Sequence, residues 1–150
     1  MRGEIRALAT AWFGVMQKCC KYVEDLVTAC ADLLSSVAAD SGAHVIQKIA
    51  SGKPIDRLTL GQKSQILEAL DAVVSPQLRR RFPNVVGSRL LGKAGVKMLH
   101  ELTRIRNDFA HGRWTKEDGD HLAVEFLTAA MELCNSPLVS VTIAIEEDRT

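Results

Sequence analysis

Aromatic residues are scarce: one tyrosine, two tryptophans and four phenylalanines make up 5% of a chain of 150 residues. A core so poor in rings has to be filled by Leu, Val, Ile and Ala, a palette that suits packed helices better than a sheet sandwich. Cysteine is sparse too, present only as Cys19, Cys20, Cys30 and Cys134. With no Cys-x-x-Cys pair and no regular spacing, these four write neither a disulfide framework nor a zinc site, and a reducing cytoplasm is the expected setting. Long apolar runs are missing as well. The segment Ala7 to Met16, behind Arg2 and Arg6, is mostly apolar but too short to span a bilayer, and a helical periodicity carries it on into charged residues. No signal peptide and no membrane association are therefore expected. Repeats and low-complexity stretches are absent. What is present, 47% hydrophobic and 25% charged residues, is the composition of one globular domain over residues 1–150, large enough to bury a core without a covalent staple. Disorder and fibrous structure are excluded on the same grounds.

The net charge of +1 hides a segregation. Residues 1–76 are neutral, residues 77–113 carry +7 and residues 114–150 carry −6. The basic block consists of Arg79, Arg80, Arg81, Arg89, Lys93, Lys97, Arg104, Arg106 and Arg113. Gathered on one face, these residues would meet phosphates; dispersed, they would form a solvated face balanced by the acidic segment.

Apolar or small residues recur at Ile5, Leu8, Trp12, Val15, Cys19, Tyr22, Leu26, Ala29 and Leu33 in alternating steps of three and four. The spacing predicts one long amphipathic helix over residues 4–40, with a seam suited to a partner helix or a second copy of the chain. Ser41-Gly42 should end it, Ala43 to Ala50 should form a short helix, and Ser51-Gly52-Lys53-Pro54 a loop. Thr59-Leu60-Gly61-Gln62 reads as a capping box opening a helix to about Val74, with Pro76 beyond its end. Pro83, Gly87, Gly92 and Gly95 should keep the next stretch in short turns. A helix should resume near Ala94, bury Val96, Leu99, Leu102, Ile105 and Phe109, and stop at His111-Gly112. Thr115-Lys116-Glu117-Asp118 should start another, running to Cys134 and buried through Leu122, Phe126, Ala129, Ala130 and Leu133. Val139 to Ile145 alternates with period two and is rich in β-branched residues, which predicts a strand. The expected architecture is all-α: four main helices, short extra helices and a C-terminal extended segment.

Gly87-Ser-Arg-Leu-Leu-Gly92-Lys93-Ala94 approaches a phosphate-binding loop. However, Ala94 stands where a Ser or Thr hydroxyl would hold magnesium, and no strand precedes Gly87, so nucleotide hydrolysis is not expected from it. His44, His100, His111 and His121 lack a familiar ligand spacing, so no metal and no cofactor are expected.

Polar side chains are densest in Leu102-Thr-Arg104-Ile-Arg106-Asn107-Asp108-Phe109-Ala110-His111-Gly112. On a regular helix Arg104, Asn107, Asp108 and His111 share a face, while Arg106 sits about 140° from His111. The two converge only if the helix ends between them or if a second copy supplies one of them. Histidine moves protons near neutral pH, and an arginine fork matches the oxygens of a phosphorane. The same residues also suit an ordinary helix C-terminus, with His111 and Arg113 offsetting the dipole and Arg106 paired to an acid.

Arg106-Asn107-Asp108-Phe109-Ala110-His111 resembles the signature of HEPN domains, an Arg and a His separated by four to six residues, in its common form with Asn directly after the Arg. Leu58-Thr59-Leu60-Gly61 and the helix after it are also similar to segments of that family, so the resemblance spans residues 55–135. It implies a four-helix up-down bundle and a homodimer in which motifs from two chains meet at the dyad. It further implies a metal-independent endoribonuclease leaving a 2′,3′-cyclic phosphate, often the toxin of a toxin-antitoxin or other defence system with a cognate antitoxin as partner. Arg106 and His111 would be the catalytic pair, Asn107 their polar support, and Arg79, Arg80, Arg81, Arg89, Lys93, Lys97, Arg104 and Arg113 the RNA-binding residues. Other members are regulators without catalysis, including relatives of the mannitol operon repressor, whose Arg-Asn-x-Phe-Ala-His pattern is close to this one. Fold alone does not choose between these. The dimer has three candidate surfaces: the motif itself, the seam of the first helix, and the edge of the terminal strand.

Overall fold

The computed structural model describes residues 2–113 and 116–149, with side chains at 14–113 and 121–149. Thr115, the expected cap residue, and the side chains of Ile5, Leu8 and Trp12 lie outside these. The chain is a helical bundle: α1 (Arg2–Ala38), α2 (Asp40–Ala50), α3 (Leu60–Arg81), α4 (Gly92–Ala110), α5 (Lys116–Cys134) and α6 (Pro137–Arg149), with one 3-10 turn, Ile55–Arg57, before α3. Among the described residues no single helix is long and apolar enough to cross a membrane.

The long first helix ends where Ala39 turns into a positive φ of 48°, and α2 sets off at once in a new direction. Two small residues permit the turn. A Cβ on Gly42 would lie 2.7 Å from the Ala38 Cβ and 2.8 Å from Leu70 Cδ2, so glycine is what lets α2 close over both α1 and α3. The capping box opens α3 as its sequence predicts: the Gln62 amide donates to Thr59 Oγ1 at 3.2 Å and the Thr59 amide donates to Gln62 Oε1 at 3.0 Å.

Ser41 and Gly42 do not end the first helix but lie inside α2, and Gly92 and Gly95 lie inside α4 rather than in turns; two further expectations are corrected. Helix α3 does not stop near Val74 but runs through Pro76 to Arg81. Proline deprives the Ala72 carbonyl of its intrahelical donor, yet Ala72 and Pro76 both face solvent, where water can replace the bond. On the opposite side Val74, Ser75 and Leu78 are fully buried and hold the helix on course. The second correction is the strand. Val139 to Ile145 lies within helix α6, because Leu138, Val141, Thr142 and Ile145 fall on one helical face and are buried against the rest. Ser136 and Pro137 supply the start, with the Val139 amide donating to Ser136 Oγ and proline tolerated at the first position. An edge strand is thereby removed from the candidate dimer surfaces.

The core draws on α1 (Met16, Cys20, Val23, Val27, Cys30, Leu34), α3 (Ile66, Leu67, Leu70, Val74, Leu78), α4 (Leu99, Leu102, Ile105), α5 (Phe126, Leu133) and α6. On α1 this is the stripe one residue on from the seam, rotated by about 100°. Helix α1 therefore carries two apolar stripes. The bundle buries one and leaves Val15 and Tyr22 of the other exposed.

Candidate functional site

Helix α4 is positioned at both ends by devices that bear on the predicted residues. At its start the carboxylate of Asp71, only 5% exposed on α3, accepts from the amides of Leu90 (2.7 Å), Leu91 (3.2 Å) and Gly92 (3.3 Å) and from the Ser75 hydroxyl (2.7 Å). These amides belong to the glycine-bearing loop that resembles a phosphate cradle. Its anion is the chain's own carboxylate, set at the positive end of α4. Sequence reasoning missed this residue, since nothing in α3 marks Asp71 as the partner of a loop 19 to 21 positions away.

At its other end α4 stops at Ala110, with His111 as the C-cap at φ −96°, ψ 8° and Gly112 at a positive φ of 65°. The Gly112 amide donates to the Phe109 carbonyl and the Arg113 amide to the Asp108 carbonyl at 2.8 Å, a glycine-closed terminus of the usual kind. The chain leaves the helical path only at Gly112; the His111 amide still donates to the Asn107 carbonyl at 3.0 Å, so within one chain His111 keeps the helical offset of about 140° from Arg106.

Arg106 is half-buried and reaches across to α1, where its Nη2 lies 2.9 Å from Glu24 Oε1. Its Nη1 donates to Asn107 Oδ1 at 3.3 Å. Arg106 lines a cleft of about 500 Å³ with Gln17, Cys20, Lys21, Glu24 and Phe109. His111 is exposed and does not line this cleft, although it directly follows Ala110, which does. Within one chain, then, Arg106 and Asn107 are in contact and His111 stands at the adjoining helix end. The Cys20 thiol in the same cleft is pushed up to about 11, mainly by burial and then by the Glu24 carboxylate, so it stays protonated and is not a nucleophile near neutral pH.

The rest of the basic block is spread over several places in the fold. Arg89, Lys93 and Lys97 line a cleft of about 530 Å³ beside the start of α4, together with Glu68 and His100, and the three form no ion pair among the described residues. The His100 ring nitrogen is 3.7 Å from Glu68. Arg104 is held by three carboxylates, Glu101 (2.9 Å), Glu125 (3.1 Å) and Asp108 (3.5 Å); the Arg104 guanidinium in turn holds the Glu101 carboxyl below its usual range. Arg79, Arg80 and Arg81 form the last turn of α3, where they offset its dipole. Arg81 is further engaged by Asp148 at 2.9 Å and by the Phe82 ring at 5.0 Å. Arg113 is exposed. Among the described residues no group of three or more His, Cys, Asp or Glu is placed to hold a metal ion.

Compared with known proteins, the chain matches no family model, no curated protein and no solved structure.

Proposed function

We propose that the chain is a metal-independent endoribonuclease of the HEPN kind, acting as a homodimer, with α1, α3, α4 and α5 as the four helices of an up-down bundle. The observation that carries this reading is the end of α4: Arg106 is presented in a cleft, Asn107 is bonded to it, and the helix stops just before His111. In the reaction His111 takes the proton of the ribose 2′-hydroxyl. The freed oxygen attacks the adjacent phosphorus, and the bond to the 5′-oxygen breaks, leaving a 2′,3′-cyclic phosphate and a 5′-hydroxyl that receives a proton. Arg106 donates to the phosphorane oxygens as charge collects on them. Glu24 orients the guanidinium in the free protein and still leaves donors of its fork for a phosphate. Arg89, Lys93 and Lys97, which gather around one cleft and form no ion pair among the described residues, hold the RNA backbone. A cytoplasmic toxin with a cognate antitoxin is the biological setting that fits such an activity.

A second reading is a regulator of the same fold without catalysis, and one observation favours it: Arg106 is already ion-paired and His111 does not share its cleft. The two are separated by one experiment. Purified protein in excess EDTA should cleave RNA, leaving cyclic phosphate ends. His111→Ala and Arg106→Ala should each lower the rate by at least about a hundredfold, the scale of general acid-base and oxyanion contributions, with unchanged circular dichroism. RNA binding without cleavage by the wild type favours the regulator. Undiminished cleavage by His111→Ala removes the assignment.

A further inference from the structure

Acids stabilise the first turn of a helix and bases the last. Helix α4 does the reverse at its start. Its first turn holds no acid, Lys93 is its second residue, Lys97 follows one turn on, and Arg89 lies in the loop just before Gly92. The carboxylate at this pole, Asp71, is buried and already met by three amides and a hydroxyl. Arg79, Arg80 and Arg81 have a dipole to offset at the end of α3; Arg89, Lys93 and Lys97 stand at the positive end of α4 and repel one another there. Departures of this kind from the local rule concentrate at functional sites.

Lys93, Lys97 and His100, four and three positions apart, share one face of α4, and with Arg89 they surround the cleft of about 530 Å³. Glu68, across on α3, faces His100 at 3.7 Å. The open basic surface ends there. The next cation along this face of α4, Arg104, is held by Glu101, Glu125 and Asp108, carboxylates that repel a phosphate backbone continuing in that direction. The cleft is therefore a bounded patch of three cations. A phosphomonoester carries about −1.5 to −2 at pH 7, against the single charge of a phosphodiester. A strand end bearing a monoester, with the diester beside it, brings close to three negative charges to these three cations at one point; an internal stretch brings the same charge only spread over three nucleotides. We propose that the cleft anchors an RNA strand by a terminal phosphate, which makes end-phosphorylated RNA the substrate class. What is attached to the phosphate rests on the ribonuclease reading; the preference for a monoester over a diester does not. His100 and His111 are eleven residues apart on α4, about 16 Å of helix. A strand held by its end thus passes the carboxylates around Arg104 without backbone contact and is cut at a fixed distance from that end.

The test is equilibrium binding of the full chain to one short RNA, 2′-O-methylated so that it cannot be cleaved, carrying a 5′-phosphate, a 3′-phosphate or hydroxyls at both ends. A phosphorylated form should bind at least about tenfold tighter than the hydroxyl form, the scale of charge-assisted bonds to a dianion, and the end that does so gives the polarity of the bound strand. Lys93→Ala and Lys97→Ala, at exposed positions where alanine suits the helix, should each cut that preference to below about threefold. Lys48→Ala, which removes the same charge from α2, should leave it intact. On cleavable uridine strands of several lengths, the cut should keep a constant distance from the phosphorylated end. Equal binding of the three strands, a preference that survives both lysine variants, or cuts at scattered distances overturns the proposal and leaves the ribonuclease reading standing. The full preference without any cleavage overturns that reading and leaves the anchor. No binding of any strand overturns both.

Discussion

Asp71 illustrates how much one side chain can organise. Its carboxylate satisfies three backbone amides and a hydroxyl in a dry setting, joining the middle of α3 to the start of α4. Asp71→Ala would leave those donors without partners, at a cost of about 2–4 kcal/mol, measurable as a lower midpoint in urea unfolding; Asp71→Asn, which keeps an acceptor oxygen, should lose less. Equal stability of Asp71→Ala and wild type would show that water replaces the carboxylate. Little of this was legible beforehand. The sequence displayed the loop from Gly87 to Ala94 but not its anion, just as it displayed Arg106 but not Glu24 on a helix 82 positions earlier. Long-range polar pairs leave no periodic trace. The local polar devices do, and both the Thr59–Gln62 box and the glycine after His111 stand where the spacing puts them.

Among the elements, two glycines in helices carry opposite instructions. Gly14 in α1 has nothing within 4 Å of where a Cβ would be, so Gly14→Ala should stabilise the protein by about 0.5–1 kcal/mol through helix propensity alone. Gly42 in α2 faces Ala38 and Leu70 at under 3 Å, and Gly42→Ala should destabilise it by about 1–3 kcal/mol because neither neighbour is the free end of a long side chain. Thermal unfolding of the two variants should move in opposite directions; a shared sign would mean that α2 is free to shift away from α3. Element type was readable wherever apolar spacing and end signals agreed, as in α4 and α5. It was misread in α6, where Val139-Ser-Val-Thr-Ile-Ala-Ile satisfies a two-residue alternation while its buried positions Leu138, Val141, Thr142 and Ile145 equally satisfy a helix. Tertiary burial decided between the two periods, and Ser136-Pro137, which follows the end of α5, is also the start of α6.

At the scale of the whole molecule the segregated charge is partly answered within the fold. Arg81 pairs with Asp148 and Arg104 with Glu125, each joining the basic segment to the acidic one, whereas Arg89, Lys93 and Lys97 remain open around their cleft. RNA binding should follow that division. Replacing the three cleft cations with Ala should reduce the slope of log affinity against log salt by about two, the counterion release of three single-strand phosphates, while Arg79→Ala, Arg80→Ala and Arg81→Ala together should change it less. Titrations at several salt concentrations decide this, and an unaltered slope for the cleft variant would make those cations an ordinary solvated face. The last helix has a different reach. Thr142 on α6 bonds at 3.6 Å to Cys30 on α1, a residue 112 positions earlier with no exposed surface. As the chain emerges from the ribosome at roughly 5–20 residues per second, α3 follows α1 within seconds, but the stretch around Cys30 waits on the order of ten seconds for α6. That stretch of α1 is thus sealed late, and a holdase chaperone would find an apolar binding segment there.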